Sequence, residues 1–277
     1  MARIDAHQHF WQFNPVRESW ITDEMAVIKR DFLPEDLEPL LRRHGFDGCV
    51  LVQSAQPENE NDFLLETAQR HAFVKGVVGW VDFLDEKVGE RLEYYSRFDK
   101  LKGFRYILQG HPNPALMLRP EFKNGIAQLE KHGFTYDVLI YANQLEYTQK
   151  LMAAFPNQPF VIDHLAKPNI KGGELAEWQK GIQALARHEN VWCKVSGMVT
   201  EAHCQRWTRE EIFPYLDTVV EAFGTNRLLY GSDWPVCLLA ASYERMLALV
   251  EDYFVGFSQA EKDAIFGENA TSFYHLS

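Results

Sequence analysis

The strongest constraint on this chain is a rhythm. Short apolar runs rich in β-branched or aromatic residues recur along it, at residues 4–9, 48–53, 76–81, 103–107, 135–140, 160–164, 191–195 and 228–232. Runs that stay apolar instead of alternating suit strands covered on both faces, as in a parallel sheet. Segments of helical period lie between them. Residues 36–44 put Leu37, Leu40 and Leu41 on one face, with Gly45 as a stop signal. Residues 61–71, 143–155, 178–187, 215–223 and 243–253 read the same way. Strand and helix in alternation, eight times over, predict an α/β chain, a single (β/α)8 TIM barrel domain over residues 1–277. An open doubly wound sheet is the competitor. It would be expected to carry a glycine-rich phosphate loop, and the sequence has neither GxGxxG after the first strand nor a Walker loop.

One connection breaks the rhythm. Residues 10–33 form a long insertion after strand one, containing Trp11, Phe13, Trp20 and Met25. Loops after strands sit on the catalytic face of a barrel. Two roles stay open for this one: an aromatic cover that excludes water from substrate, or a plug for one end of the barrel.

Charge and composition exclude several classes of function. Lys plus Arg is 28 and Asp plus Glu is 39, a formal charge of −11. Such a chain is a poor partner for nucleic acid or an anionic membrane surface. No stretch approaches the roughly 18 apolar residues of a membrane span, and the N-terminus lacks the apolar region of a signal peptide. Cys49, Cys193, Cys204 and Cys237 form no CxxC pair, and Cys49 and Cys193 sit inside apolar runs. Free thiols in a reducing, cytoplasmic protein are expected. Asn269-Ala270-Thr271 matches a glycosylation acceptor, a chance match without secretion.

The chemistry collects at the strand ends, where barrel active sites form. Strand one ends in His7-Gln8-His9, strand two near Gln53, and strand three with Trp80 and Asp82. Strands four and five carry Arg105 and Asp137, strand six ends in Asp163-His164, and strand seven carries Lys194 and Ser196. Strand eight runs into Gly231-Ser232-Asp233-Trp234-Pro235. Burying ionisable groups without partners is costly, so their recurrence at one edge of apolar strands predicts a shared polar pocket. His7 and His9, two apart on a strand, point to one face. Two convergent imidazoles bind a divalent metal or donate to one oxygen. Taken singly, His164 fits a core histidine and Asp233 a helix cap; together with His7 and His9 they predict one site.

Asp5-Ala6-His7-Gln8-His9-Phe10, Asp163-His164-Leu165-Ala166-Lys167-Pro168 and Gly231 to Pro235 resemble the amidohydrolase superfamily, best its lactonase branch, the "amidohydrolase 2" group. Cys193-Lys194-Val195-Ser196-Gly197 is similar to that branch as well. The run from Gly231 to Ser242 looks most like bacterial L-fuconolactonases, which open sugar lactones. The likeness extends from Arg3 to the region of Asn269. The sequence departs from many amidohydrolases in having Arg105 and Asp137 where a bridging Lys or Glu and a metal-binding His stand, which argues against a two-metal site. The resemblance implies that relatives work without added metal, so no obligatory cofactor is expected. A single divalent ion such as zinc, held by His7, His9 and Asp233 with help from His164, is the alternative.

The expected reaction is hydrolysis of a small sugar lactone. Asp233 takes a proton from water and returns one to the ring oxygen, while His7, His9 and His164 polarise the carbonyl. Arg105, Gln53 and Asp82 are candidates for binding hydroxyls, and Trp11, Trp80, Tyr106, Tyr141 and Trp234 for apolar walls. L-rhamnono- and L-galactono-lactones are close alternatives. Rival readings are a pyrone-dicarboxylate lactonase, which wants more arginines than Arg105, a metal-dependent decarboxylase, and a sugar-acid sensor without turnover. Nothing in the sequence sets an oligomeric state.

Overall fold

The computed structural model of the protein describes residues 2–277. Its strands are β1 (Ile4–Gln8), β2 (Gly48–Val52), β3 (Val74–Gly79), β4 (Leu101–Ile107), β5 (Thr135–Leu139), β6 (Phe160–Ile162), β7 (Val191–Val195) and β8 (Leu228–Tyr230). They stand side by side in chain order, and every neighbouring pair is parallel. A parallel bridge between Gln8 and Trp234 joins the chain after β8 to β1, with His9 N–H donating to Trp234 O and Asp233 N–H to His7 O. The architecture is the expected (β/α)8 barrel.

Helices α1 (Pro34–Arg43), α2 (Glu60–Arg70), α3 (Val88–Tyr95), α4 (Pro120–His132), α5 (Leu145–Ala154) and α6 (Ala176–Ala186) fill the first six connections. A one-turn α7 (Met198–Glu201) and the long α8 (Arg209–Phe223) lie between β7 and β8. After β8 come α9 (Tyr243–Tyr253), α10 (Gln259–Asp263) and α11 (Asn269–Phe273). Gly45 takes a left-handed φ of 69° just past α1, as its role of helix stop requires.

Alternation along the strands sorts the core into two layers. Cys49, Leu51, Val77, Phe104, Tyr136 and Val195 belong to the large cluster between sheet and helices. Ile4, Ala6, Val50, Val52, Val78, Val161 and Leu229 form a smaller cluster inside the barrel. Phe273 and Tyr274 complete that inner cluster. They enter beside Trp192 and Lys102, at the strands' N-terminal ends. Each such side chain contributes about 1.5–3 kcal/mol on burial.

In residues 10–33 an antiparallel bridge pairs Trp11 with Phe32, and Asp23–Ile28 form a 3-10 helix. Trp11 stacks edge-on against Trp20 and Phe32, and its indole N–H donates to Arg30 O. Phe32 in turn packs on Trp234. All four cysteines are free, three of them buried. Asn269 is buried, its amide donating to Thr225 O and Leu228 O. Among the described residues no helix is long and apolar enough to cross a membrane.

Candidate active site

A slip in register aims the two histidines of β1. Asp5 pairs with Cys49 but Gln8 with Leu51, so β1 carries an extra residue between them. Bulges of this kind re-aim side chains beside active sites. Before the slip, Ile4 and Ala6 face the barrel interior. Beyond it, His7 and His9 turn toward Asp233, while Gln8 turns away to the Cys49 thiol. Asp5 fixes the bend, its Oδ1 accepting from His7 N–H at 3.2 Å and Ser232 N–H at 2.9 Å.

His164 and Asp233 are held by strained backbone. His164, Leu165, Ala166 and Lys167 take φ values of 53°, 55°, 57° and 46°, a full left-handed turn without glycine. Asp233 has φ 56°. Left-handed residues cost roughly 1–2 kcal/mol each, and such strain concentrates at functional sites. The turn swings the His164 ring back over the barrel mouth, where its Nδ1 pairs with Ser196 Oγ at 2.8 Å.

The imidazoles converge on one carboxylate. Asp233 Oδ1 lies 3.4 Å from His9 Nε2, 3.8 Å from His7 Nε2 and 3.9 Å from His164 Nε2. His9 Nδ1 is 2.7 Å from Val52 O. A carbonyl only accepts, so the proton of neutral His9 sits on Nδ1 and its Nε2 presents a lone pair. Burial alone would raise the Asp233 carboxyl, but the surrounding His164, His9 and His7 rings outweigh it and hold it well below the usual range. Burial depresses His164 to about 4, against the pull of Asp233 and Asp163. Burial and the Lys194 ammonium push His7 well below its ordinary value. At neutral pH the centre is an ionised aspartate facing neutral His7 and His164.

Beneath it lies a fully buried ionic layer. Lys194 Nζ sits 2.5 Å from Asp137 Oδ2, 3.0 Å from Asp163 Oδ1 and 3.0 Å from His7 Nδ1. Arg105 reaches Asp163 Oδ2 at 3.1 Å and Gln53 Oε1 at 3.1 Å, and donates to Gln53 O. Burial raises Asp137 to about 6, with Lys194 opposing. For Asp163, Lys194 and His7 overcome burial and keep it well below the usual carboxylate value. The sequence put Asp137, Asp163 and Lys194 at the strand ends without a role. Its usable signal was a lysine inside an apolar strand, which must find counter-charges.

The candidate binding residues separate. Arg105 and Gln53 adjoin the histidines but are engaged with each other. Trp11 and Trp234 are buried in the aromatic cluster of residues 10–33. Trp80 is half-buried, its backbone clasped by the Asn61 amide and its ring 6.0 Å from Tyr106. Asp82 is exposed and accepts from Leu84 N–H. Tyr141 is exposed across the rim, with the Lys167 ammonium 6.0 Å from its ring.

The donor set fits one divalent ion. His7, His164 and Asp233 bring ligand atoms within 4.8 Å of one another, and neutral imidazoles with an ionised carboxylate are what such an ion requires. His7, Asp137 and Asp163 make a second such group. There the Lys194 ammonium stands among the ligand atoms, where a second cation would have to sit.

The family profile of the amidohydrolases matches residues 4–276. This chain is an amidohydrolase. It is therefore a hydrolase, built on the (β/α)8 barrel described above. An L-fucono-1,5-lactonase from Burkholderia multivorans is 38% identical over 285 residues, covering 99% of this chain and 96% of its own. A crystal structure of an amidohydrolase from Burkholderia multivorans with bound zinc is 38% identical, covers 100% of both chains and superposes with a TM-score of 0.97. A 2-pyrone-4,6-dicarboxylate hydrolase from Comamonas testosteroni is 25% identical, covering 84% of this chain and 76% of its own.

Proposed function

We propose that this amidohydrolase opens a sugar-acid lactone, L-fucono-1,5-lactone or a close relative, by adding water to the ring ester. The observation that carries the reading is Asp233, buried and ionised among three imidazoles, in a chain alike end to end to an L-fucono-1,5-lactonase. Asp233 takes a proton from water as the oxygen attacks the carbonyl carbon. His7 and His164 face the oxygen on which negative charge develops, and Arg105 adds its field from below. His9, with its lone pair beside Asp233, accepts from the attacking water and orients it. The ring C–O bond then breaks, and the proton held by Asp233 goes to the leaving ring oxygen. A carboxylate held so acidic is a weak base, so its placement must compensate. His7, His164 and Asp233, with His164 in the place the sequence expectation gave to His9, would hold a divalent ion, which when bound would polarise a carbonyl and acidify water.

A dianionic pyrone fits less well. Such a substrate wants free arginines, and the Arg105 guanidinium is committed to Asp163 and Gln53. Trp80, Tyr106 and Tyr141 supply flat surfaces suited to a neutral, hydroxyl-rich ring. The test is turnover of a sugar-lactone panel followed by pH indicator, with chelated and with zinc-supplied protein. Hydrolysis of L-fucono-1,5-lactone that survives chelation supports the histidine–aspartate mechanism. Hydrolysis lost on chelation and restored by zinc keeps the substrate and makes the same side chains ligands. No turnover of any sugar lactone overturns the proposal.

A further inference from the structure

His7 faces two demands that its single proton cannot meet at once. Its Nδ1 lies 3.0 Å from Lys194 Nζ and 3.3 Å from Asp163 Oδ1. Its Nε2 lies 3.2 Å from His9 Nε2 and 3.3 Å from Arg105 NH1. An ammonium only donates and a carboxylate only accepts, so the neighbours of Nδ1 ask for opposite tautomers.

The network as a whole decides between them. His9 has spent its proton on Val52 O, so His9 Nε2 is an acceptor. A proton on His7 Nε2 satisfies it at 3.2 Å, while His7 Nδ1 accepts from Lys194 at 3.0 Å. Asp163 keeps its ion pair with Lys194 at Oδ1 and its hydrogen bond from Arg105 at Oδ2, and the cost is an Oδ1 left without a hydrogen bond. The other tautomer sets two lone pairs face to face at 3.2 Å and points an N–H at the Lys194 ammonium. It gains only the two 3.3 Å contacts, to Asp163 and Arg105.

We propose that Lys194 is a positioning residue: its ammonium donates to His7 Nδ1 and keeps the imidazole proton on Nε2, facing the reaction centre. Lys194 is placed for this by Asp137, which is itself held by the Tyr274 hydroxyl at 2.7 Å from the N-terminal end of the barrel. The consequence for the reaction rests on the lactonase reading. His7 then serves as a ready N–H donor to the carbonyl oxygen, and its Nε2 lone pair is withheld from a metal. Zinc at this site has to move the His7 proton to Nδ1, against the Lys194 ammonium.

The direct test is the nitrogen spectrum of [15N]histidine-labelled, chelated protein at neutral pH, with the His7 signals assigned by their loss in H7Q. The expected pattern has His7 Nε2 protonated and Nδ1 bare. A protonated Nδ1 with a bare Nε2 overturns the proposal, whatever the turnover. Lys194 is fully buried, so K194M leaves two carboxylates without their cation and risks unfolding. The variant to use is D137N/K194M, which removes one charge of each sign. In it the His7 proton should move to Nδ1, and zinc affinity should rise by about tenfold or more. Turnover should fall by about 10²-fold or more at nearly unchanged KM, the cost of a wrong tautomer. A His7 proton that stays on Nε2 in this variant also overturns the role of Lys194. The spectrum is read without substrate, so a wild-type protein inactive on every lactone would fail the functional reading separately.

Discussion

Among single residues, Asp233 bears the greatest chemical load in the proposed mechanism. Replacing it with Asn keeps the shape and the backbone bond to His7 O but removes the base. Lactone turnover should fall by about 10²–10⁴-fold, with an unchanged circular dichroism spectrum. Near-wild-type turnover would remove Asp233 from the chemistry. His164 makes a second, thermodynamic statement. Burial lowers it from 6.5 to about 4, so between those values the unfolded chain binds the proton and the folded chain does not. Stability therefore falls as pH drops from 6.5 toward 4. H164Q abolishes that linkage, so wild type should gain about 3 kcal/mol on the variant as pH rises across the window. Urea unfolding of both proteins at several pH values measures it, and a constant difference would refute it. His7, His9, His164 and Asp233 were legible in the sequence because each sits in a short motif at a strand end. The pairing of Lys194 with Asp137, Asp163 and His7 was not, since it joins different strands across the barrel. Tyr274 gave no local signal of its reach to Asp137.

Elements were legible to the degree that their signals are local. Every strand was found, with ends shifted by up to two residues, because the strands are continuous apolar runs. Helices α3 and α4 were not picked out. The first is only eight residues long and starts Val88-Gly89; in the second, Gly125 interrupts the periodic face where Phe83 packs against it. The first turns of α8 were hidden by Pro214, although Thr208 and Glu211 form a capping box at its start. The slip in β1 and the left-handed turn after β6 have no sequence period, yet they aim three of the four central side chains. A glycine protects the second of these devices. Gly197 has φ 66°, and a Cβ there would stand 2.7 Å from the His164 ring. G197A must shift that ring or its own backbone. The melting temperature should fall by about 3–10 °C, from roughly 1–3 kcal/mol of overpacking. Turnover should fall by about tenfold or more, because the displaced ring no longer faces the developing charge. Wild-type turnover in G197A would show that His164 tolerates displacement and does not touch the reacting atoms.

Across the molecule, the barrel divides its labour between two ends. The site collects at the strands' C-terminal ends, whereas the N-terminal ends are stopped by Phe273 and Tyr274 against Ile4, Val50 and Val78. Barrels of this kind place chemistry at the first end and stability at the second. The two are not fully insulated here, because the Tyr274 hydroxyl reaches Asp137 and through it Lys194. Phe273 has no polar group in that link: it is buried among aliphatic side chains and meets the link only through packing of its ring beside Tyr274, with Trp192 on another side. F273A therefore separates the ends. Truncation leaves a cavity in the inner cluster and should cost about 3–5 kcal/mol. For a chain of this size that lowers the melting temperature by about 10 °C. At 25 °C the surviving folded protein should keep kcat/KM within about twofold of wild type, because Phe273 touches neither His7 nor Asp233 and the Tyr274 hydroxyl keeps its bond to Asp137. A large loss of kcat/KM with little change in melting temperature would mean that the inner cluster transmits position to the catalytic face, with the Phe273–Tyr274 packing as its first step.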